Sequence, residues 1–289
     1  MRGPTVPEVL SAVPTLFDDA GEVDLAATAA HHAWLHGRVD GVFVAGTTGE
    51  FPALDRTERR ALASAALDVF GPEHVVVHVG AASTRDTMAL TRDAVALGVR
   101  RLAVLTPYYL PADVDAVTRH FAATTAAAGP AAVYGYLFTE RSGVTVTPSE
   151  FGRIAAETGL AGAKLSGAAN DRVGEYIEAL PAGGRLWSGA DTTLAAVVRA
   201  GGAGIVSGLS AAFPEPFMAL AAAGDAGDAE AEREAQAQAD AVLAALRGSV
   251  EGIKYALALL GHGNGALRMT SPAVPDPEAI ARLVPAAVS

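Results

Sequence analysis

Ala131-Ala132-Val133-Tyr134-Gly135-Tyr136-Leu137, followed by Thr147-Pro148 and then by Gly162-Ala163-Lys164-Leu165, is the passage on which the fold turns. Both end runs are short, apolar and strand-like. The stretch between them opens with a hydroxyl cap and a proline, the signature of a helix start. Strand, helix and strand in that order make the unit from which parallel sheets are assembled.

Working outward, the same alternation predicts eight strands, near Ala12–Leu16, Gly41–Ala45, Val75–Val79, Leu102–Leu105, Ala132–Leu137, Gly162–Leu165, Leu186–Ser188 and Gly204–Val206. Asp24, Asp55, Ser83, Thr147-Pro148 and Asp191 precede the intervening helical patterns as caps. The expected fold class is α/β, a (β/α)8 TIM barrel with additional C-terminal helices. Residues 1–212 would form the barrel, and 213–289 its final helix and a helical extension of the same unit. The acidic stretch Asp225–Asp240 reads as a solvated helix face, and Ile253–Leu260 as an apolar helical segment. With 289 residues, 51% hydrophobic and only 6% aromatic, the chain has many small and branched side chains to fill barrel layers.

Composition removes several classes of function. A net charge of −11 opposes association with nucleic acid or an anionic membrane. No apolar run reaches bilayer length, and the segment with Arg2, Pro4 and Pro7 lacks a signal-peptide pattern, so a cytoplasmic location is expected. Zero cysteines exclude disulfides, thiolate nucleophiles and Cys-ligated zinc. His32 and His36 have the i, i+4 spacing of paired ligands, but they lie before the second strand, away from strand ends, and read as surface or core histidines. No metal and no cofactor is implied.

Arginine supplies nearly all the positive charge: of 21 basic residues only Lys164 and Lys254 are lysines. Arginine stays protonated, so imine chemistry from a side chain rests on these two amines. Lys164 lies among Leu160, Ala161, Ala163 and Leu165, where desolvation favours the neutral, nucleophilic amine. A lysine snorkelling to the rim or paired with a carboxylate is the plainer reading of the local sequence. Lys254, in an amphipathic segment, reads as an ordinary helix-surface lysine.

Barrel chemistry gathers at the carboxyl ends of strands. There the chain places Gly46-Thr47-Thr48-Gly49-Glu50, Thr106-Pro107-Tyr108-Tyr109, Arg141-Ser142-Gly143 and Ser166-Gly167. A phenol can carry the proton that imine formation requires; Tyr134 and Tyr136 share a parity and both suit the role. The Gly46–Gly49 turn offers backbone amides and two hydroxyls to a carboxylate.

In combination and order, these segments resemble the dihydrodipicolinate synthase and N-acetylneuraminate lyase family of pyruvate-dependent Schiff-base enzymes. Its marks are the Gly-Thr-Thr-Gly-Glu run, Thr106-Pro107-Tyr108-Tyr109, and a tyrosine strand closing on Arg141-Ser142-Gly143 with a lysine 28 residues after Tyr136. Ser188-Gly189-Ala190-Asp191 and Gly204-Ile205-Val206-Ser207 complete the set. The resemblance implies Lys164 as the imine-forming amine and Tyr136, seven residues before Gly143, as the proton shuttle. It implies Thr48 as the link from Tyr136 to Tyr109, which reaches across a dimer interface in the family. Thr47 and Thr48 are implied as a carboxylate-binding pair, Val206 as a carbonyl bordering the lysine, and Arg141 as the guanidinium for the second substrate's carboxylate. Its partners would be a 2-oxo acid, an aldehyde and copies of itself, as a dimer or tetramer. Leu165, Ser166, Gly167 and Leu209 are loop positions assigned to acceptor choice.

Two departures stand out. The family commonly has Tyr-Asn-x-Pro where this chain reads Tyr136-Leu137-Phe138-Thr139, and the Glu-Pro-Asn-Pro segment of lysine-biosynthetic members is replaced by Ser249-Val250-Glu251-Gly252. Three readings follow: a 4-hydroxy-tetrahydrodipicolinate synthase-like condensation, an aldolase or dehydratase for another 2-oxo acid, such as N-acetylneuraminate or a 2-keto-3-deoxy sugar acid, and a non-catalytic barrel that binds small acids.

Overall fold

A computed structural model describes residues 7–270 and 272–284. Arg2 and Pro4, and the outer ends of the two stretches 1–212 and 213–289, lie outside the described residues. Eight parallel strands close into a barrel in sequence order: β1 (Glu8–Ala12), β2 (Gly41–Val44), β3 (Val75–His78), β4 (Arg101–Leu105), β5 (Ala132–Leu137), β6 (Gly162–Leu165), β7 (Arg185–Ser188) and β8 (Gly204–Ser207). The expected (β/α)8 barrel with C-terminal helices is the observed fold.

One strand lies elsewhere than its pattern suggests. β1 runs from Glu8 to Ala12, not from Ala12 to Leu16. After Ala12, Val13 still donates its N–H to the Phe43 carbonyl at 3.2 Å, and Pro14, which has no N–H, then ends the pairing. The charged Glu8 disguised the strand's start. Its carboxylate closes the amino-terminal end of the barrel, accepting from Arg101 at 2.8 and 2.9 Å, Arg185 at 3.1 Å and Trp187 Nε1 at 3.0 Å.

Alternate side chains of the strands divide two environments. Leu10, Phe43, Val76, Ala103, Tyr134, Tyr136, Trp187 and Val206 fill the barrel, whereas their neighbours, including Val42, Val104, Leu165 and Ile205, pack outward beneath the helices. The helices begin where caps predict: Asp24, Ser83 and the capping boxes of Asp55 with Glu58 and Thr147 with Glu150 hold free backbone amides. Asp191 is the exception. It is the first residue of a short 3-10 turn rather than its cap, and its carboxylate reaches across to β8.

Beyond β8, Glu215–Ala226 completes the barrel's ring of helices, and Ala229–Leu246 packs against it with Glu230, Glu234 and Asp240 exposed, as the acidic stretch suggested. Val250–Leu259 follows, capped by Ser249, and brings its first turn to the carboxyl end of the barrel.

Candidate active site

Lys164 stands on β6 directly beside Tyr136 of β5, its register partner, and both face inward. Its Nζ lies 3.9 Å from the centre of the Tyr136 ring and donates to Ser166 Oγ at 2.6 Å. The side chain is buried, at 8% exposure, and no ion pair among the described residues involves it. The amine therefore neither snorkels into bulk solvent nor is held by a carboxylate. Its companions are hydroxyls and aromatic rings, including Phe43 at 5.8 Å.

The Tyr136 phenol is fully enclosed, at 1% exposure, and shares a hydrogen bond with Thr47 Oγ1 at 3.0 Å. Burial alone would raise its pKa. The positive charge of Lys164, with polar contacts from Lys164, Thr47 and Ser166, outweighs that effect and brings the phenol below its ordinary range. Tyr134 sits one step lower, in register with Gly162 and edge-on to Trp187 with ring centres 5.0 Å apart. Strand register thus separates two tyrosines that parity alone leaves equivalent.

The Gly46–Gly49 turn carries its own strain. Ala45 and Glu50, on either side of it, have φ of 53° and 52°, a conformation disfavoured for residues with a Cβ. Gly46 is obligatory because a Cβ there would enter the Phe43 ring. The turn corrects one assignment: the hydroxyl on Tyr136 belongs to Thr47, not Thr48. Thr48 instead turns toward the end of β8, beside Gly208 and Ile253.

Val206 lies inside the barrel in the same cluster as Tyr136. Arg141, on the short helix Thr139–Ser142, lies over the Phe138 ring at 5.7 Å and joins Thr47 in lining a cavity of about 330 Å³ at the barrel mouth. Phe51, Leu105, Val250, Leu267 and Met269 form much of its wall. Tyr109 is not brought to this group within one chain; it is 88% exposed, makes no hydrogen bond among the described residues, and has φ of 80°.

Three further expectations need correction. Leu165 and Leu209 are both 0% exposed and pack in the outer cores, so neither faces the acceptor cavity. Ser166 is the hydrogen-bond partner of Lys164 rather than an acceptor contact. Lys254 is not on a surface: at 1% exposure it is ion-paired with Glu50.

Three more residues, to which the sequence assigns no role in the chemistry, belong to the site. His78 ends β3 fully buried, edge-on to Tyr136 with ring centres 5.8 Å apart, its Nδ1 3.0 Å from the Ala45 carbonyl. Desolvation, reinforced by Arg59 and Lys164, pushes its pKa well below the usual value and keeps the ring neutral. Asp191 accepts from Ser207 Oγ at 2.6 Å and from the Leu209 N–H at 3.2 Å, tying the ends of β7 and β8 together; burial raises its pKa. Gly189 leaves room for the lysine, because a Cβ there would collide with Ser166 Oγ and come within 3.0 Å of Lys164 Cε. A polar residue closing β3 was the available signal for His78, and a carboxylate just beyond the end of β7 that for Asp191.

Fold and site together define a barrel enzyme whose polar groups converge at the carboxyl ends of its strands. The sequence profile of the dihydrodipicolinate synthetase family matches residues 5–284. A DapA-like lyase of Halobacterium salinarum is 35% identical over 264 residues, covering 90% of this chain and 86% of the relative. The 4-hydroxy-tetrahydrodipicolinate synthase of Kineococcus radiotolerans is 35% identical over 286 residues, covering 95% and 90%. Dihydrodipicolinate synthase from Thermotoga maritima superposes with a TM-score of 0.88 at 28% identity, covering 96% of this chain and 97% of that one. The chain belongs to the dihydrodipicolinate synthetase family and is a Schiff-base lyase.

Proposed function

We propose that the chain condenses pyruvate, or a closely related 2-oxo acid, with an aldehyde through an imine on Lys164, in the manner of a 4-hydroxy-tetrahydrodipicolinate synthase. The observation that carries this reading is an enclosed amine with no carboxylate partner among the described residues, 2.6 Å from one hydroxyl and in contact with a phenol.

Once its proton has been given up, the Lys164 amine attacks the ketone carbon. The carbonyl oxygen takes up protons and leaves as water, and C=N replaces C=O. Tyr136 delivers and recovers protons, with Thr47 as its hydrogen-bond partner. The substrate carboxylate rests on the amides and hydroxyls of the Thr47-Thr48 turn, and the Val206 carbonyl borders the imine. Loss of a methyl proton gives the enamine, whose terminal carbon attacks the aldehyde carbon; Arg141, at the cavity rim, receives the acceptor's carboxylate. The exposed, left-handed Tyr109 extends the proton relay into a second subunit, in a dimer or tetramer. No described helix is long and apolar enough to cross a membrane, which accords with work on small metabolites in the cytoplasm.

Borohydride reduction in the presence of pyruvate tests the first step. One stable adduct per chain, absent from Lys164→Ala, is expected; no adduct with pyruvate or other 2-oxo acids would leave a barrel that only binds small acids. Aspartate semialdehyde is the first acceptor to test, with product read by mass spectrometry.

A further inference from the structure

The carboxyl-terminal segment Ala266–Met269 has no regular backbone hydrogen bonding, yet Leu267 and Met269 line the mouth cavity together with Arg141. Side chains hold it in place. Lys254 Nζ donates to the Ala266 carbonyl at 2.7 Å and is ion-paired with Glu50 Oε1. The other oxygen, Glu50 Oε2, accepts the backbone N–H groups of Arg268 at 3.0 Å and Met269 at 2.8 Å. Both charged side chains are nearly inaccessible, at 1% and 3%. Outside, the Arg268 guanidinium grips Glu58 at 2.6 Å and the Gly21 carbonyl at 2.7 Å, and lies over Phe17, the ring that also carries Lys254.

Glu50 also ends the strained turn that presents Thr47 to Tyr136. One residue thus joins the donor-binding turn to the Leu267–Met269 wall of the mouth cavity. Among the described residues its carboxylate is hydrogen-bonded to Lys254 and to the segment, so removing its charge leaves the backbone bond from Glu50 N to the Thr47 carbonyl, at 3.1 Å, intact.

We propose that the buried Glu50–Lys254 pair is a positioning device for the second substrate: it fixes Leu267 and Met269 as the apolar wall against which the acceptor aldehyde packs, while Arg141 holds the acceptor's charged end. This rests on the lyase reading above. The wall selects a compact acceptor with a carboxylate and an apolar body over a long polyhydroxylated chain, because a hydroxyl pressed on Leu267 or Met269 loses its hydrogen bonds to water without replacement.

The test compares the full-length wild type with the paired variant Glu50→Gln/Lys254→Met, which leaves no unpartnered buried charge, and with Leu267→Ala, which leaves the pair untouched. Three readouts are taken: the rate of pyruvate adduct formation under borohydride, KM and kcat with pyruvate plus aspartate semialdehyde, succinic semialdehyde or glyceraldehyde, and hydrogen exchange at Arg268 and Met269. Both variants should raise the aldehyde KM about tenfold while adduct formation stays within about twofold. Amide protection at Arg268 and Met269 should fall in the paired variant alone, and succinic semialdehyde should outperform glyceraldehyde in wild type.

A purely structural pair would lower adduct formation and thermal stability together and leave the aldehyde KM of the folded fraction unchanged; that result overturns the proposal. So does normal adduct formation in wild type with none of the three aldehydes consumed. Failure of wild type to form any adduct would instead overturn the lyase reading on which the proposal depends.

Discussion

The chain's two lysines are both buried, and they have opposite fates. Lys254 faces a carboxylate, Glu50, and a carbonyl, Ala266, and lies over the Phe17 ring; every feature of that surrounding is compensation for a charge. Lys164 has a serine hydroxyl and a phenol ring, and no carboxylate among the described residues. Burial alone therefore does not mark a nucleophile. What distinguishes one is burial without a counter-ion beside a group that can move protons. Both amines lie at the carboxyl end of the same barrel, so the difference is one of partners, not of depth.

The largest expected effect sharpens this contrast. Lys164→Ala should abolish the borohydride adduct and reduce turnover at least about ten-thousandfold, with thermal stability little changed, since the amine supports no ion pair. An adduct that survives in Lys164→Ala and disappears in Lys254→Met, by peptide mass mapping, would reverse the assignment.

Next comes stability. Lys254→Met leaves Glu50 enclosed with only two backbone N–H groups to accept from, and should cost about 3–5 kcal/mol in equilibrium unfolding. Adding Glu50→Gln should restore most of that loss, because the uncompensated charge is gone. A single variant as stable as wild type would show that the pair holds no buried charge and would erase the contrast between the two lysines.

Tyr136→Phe should lower kcat about a hundredfold, consistent with loss of one proton-transfer group. Tyr134→Phe, one register step below and packed on Trp187, should retain most activity. Equal turnover in both would remove Tyr136 from its role.

How much of this could be read from the sequence follows from the range of each interaction. Strand–helix alternation is local, and the barrel and seven of its strands are where periodicity put them. β1 lies earlier than its pattern because it starts at the charged Glu8, whose partners Arg101 and Trp187 lie far along the chain. Lys164 stood out as one of two amines, yet Ser166, only two residues on, looked like loop. The burial of Lys254 is likewise not legible locally: its partner is 204 residues away, and amphipathic spacing reports a helix face, not what meets that face. The Thr47–Tyr136 contact depends on how a strained turn aims two adjacent hydroxyls, which residue order leaves undetermined.

That ambiguity supplies the smallest effect. Thr47 is among the groups that lower the Tyr136 pKa, so Thr47→Val removes one of them and the phenol's pKa must rise. If a protonated phenol is needed to expel water from the carbinolamine, the alkaline limb of kcat/KM reports its ionisation and should move to higher pH, with only a several-fold loss at the optimum, the scale of one hydrogen bond. Thr48→Val, whose side chain lies by Gly208, should leave the limb in place and weaken pyruvate binding instead. The two hydroxyls thereby repeat, at lower stakes, the division between the lysines: neighbouring residues of one chemical type are distinguished by what each is aimed at. A limb left in place by Thr47→Val would show that the Thr47 hydroxyl does not govern the phenol, and one displaced equally by both substitutions would erase the distinction between the two threonines.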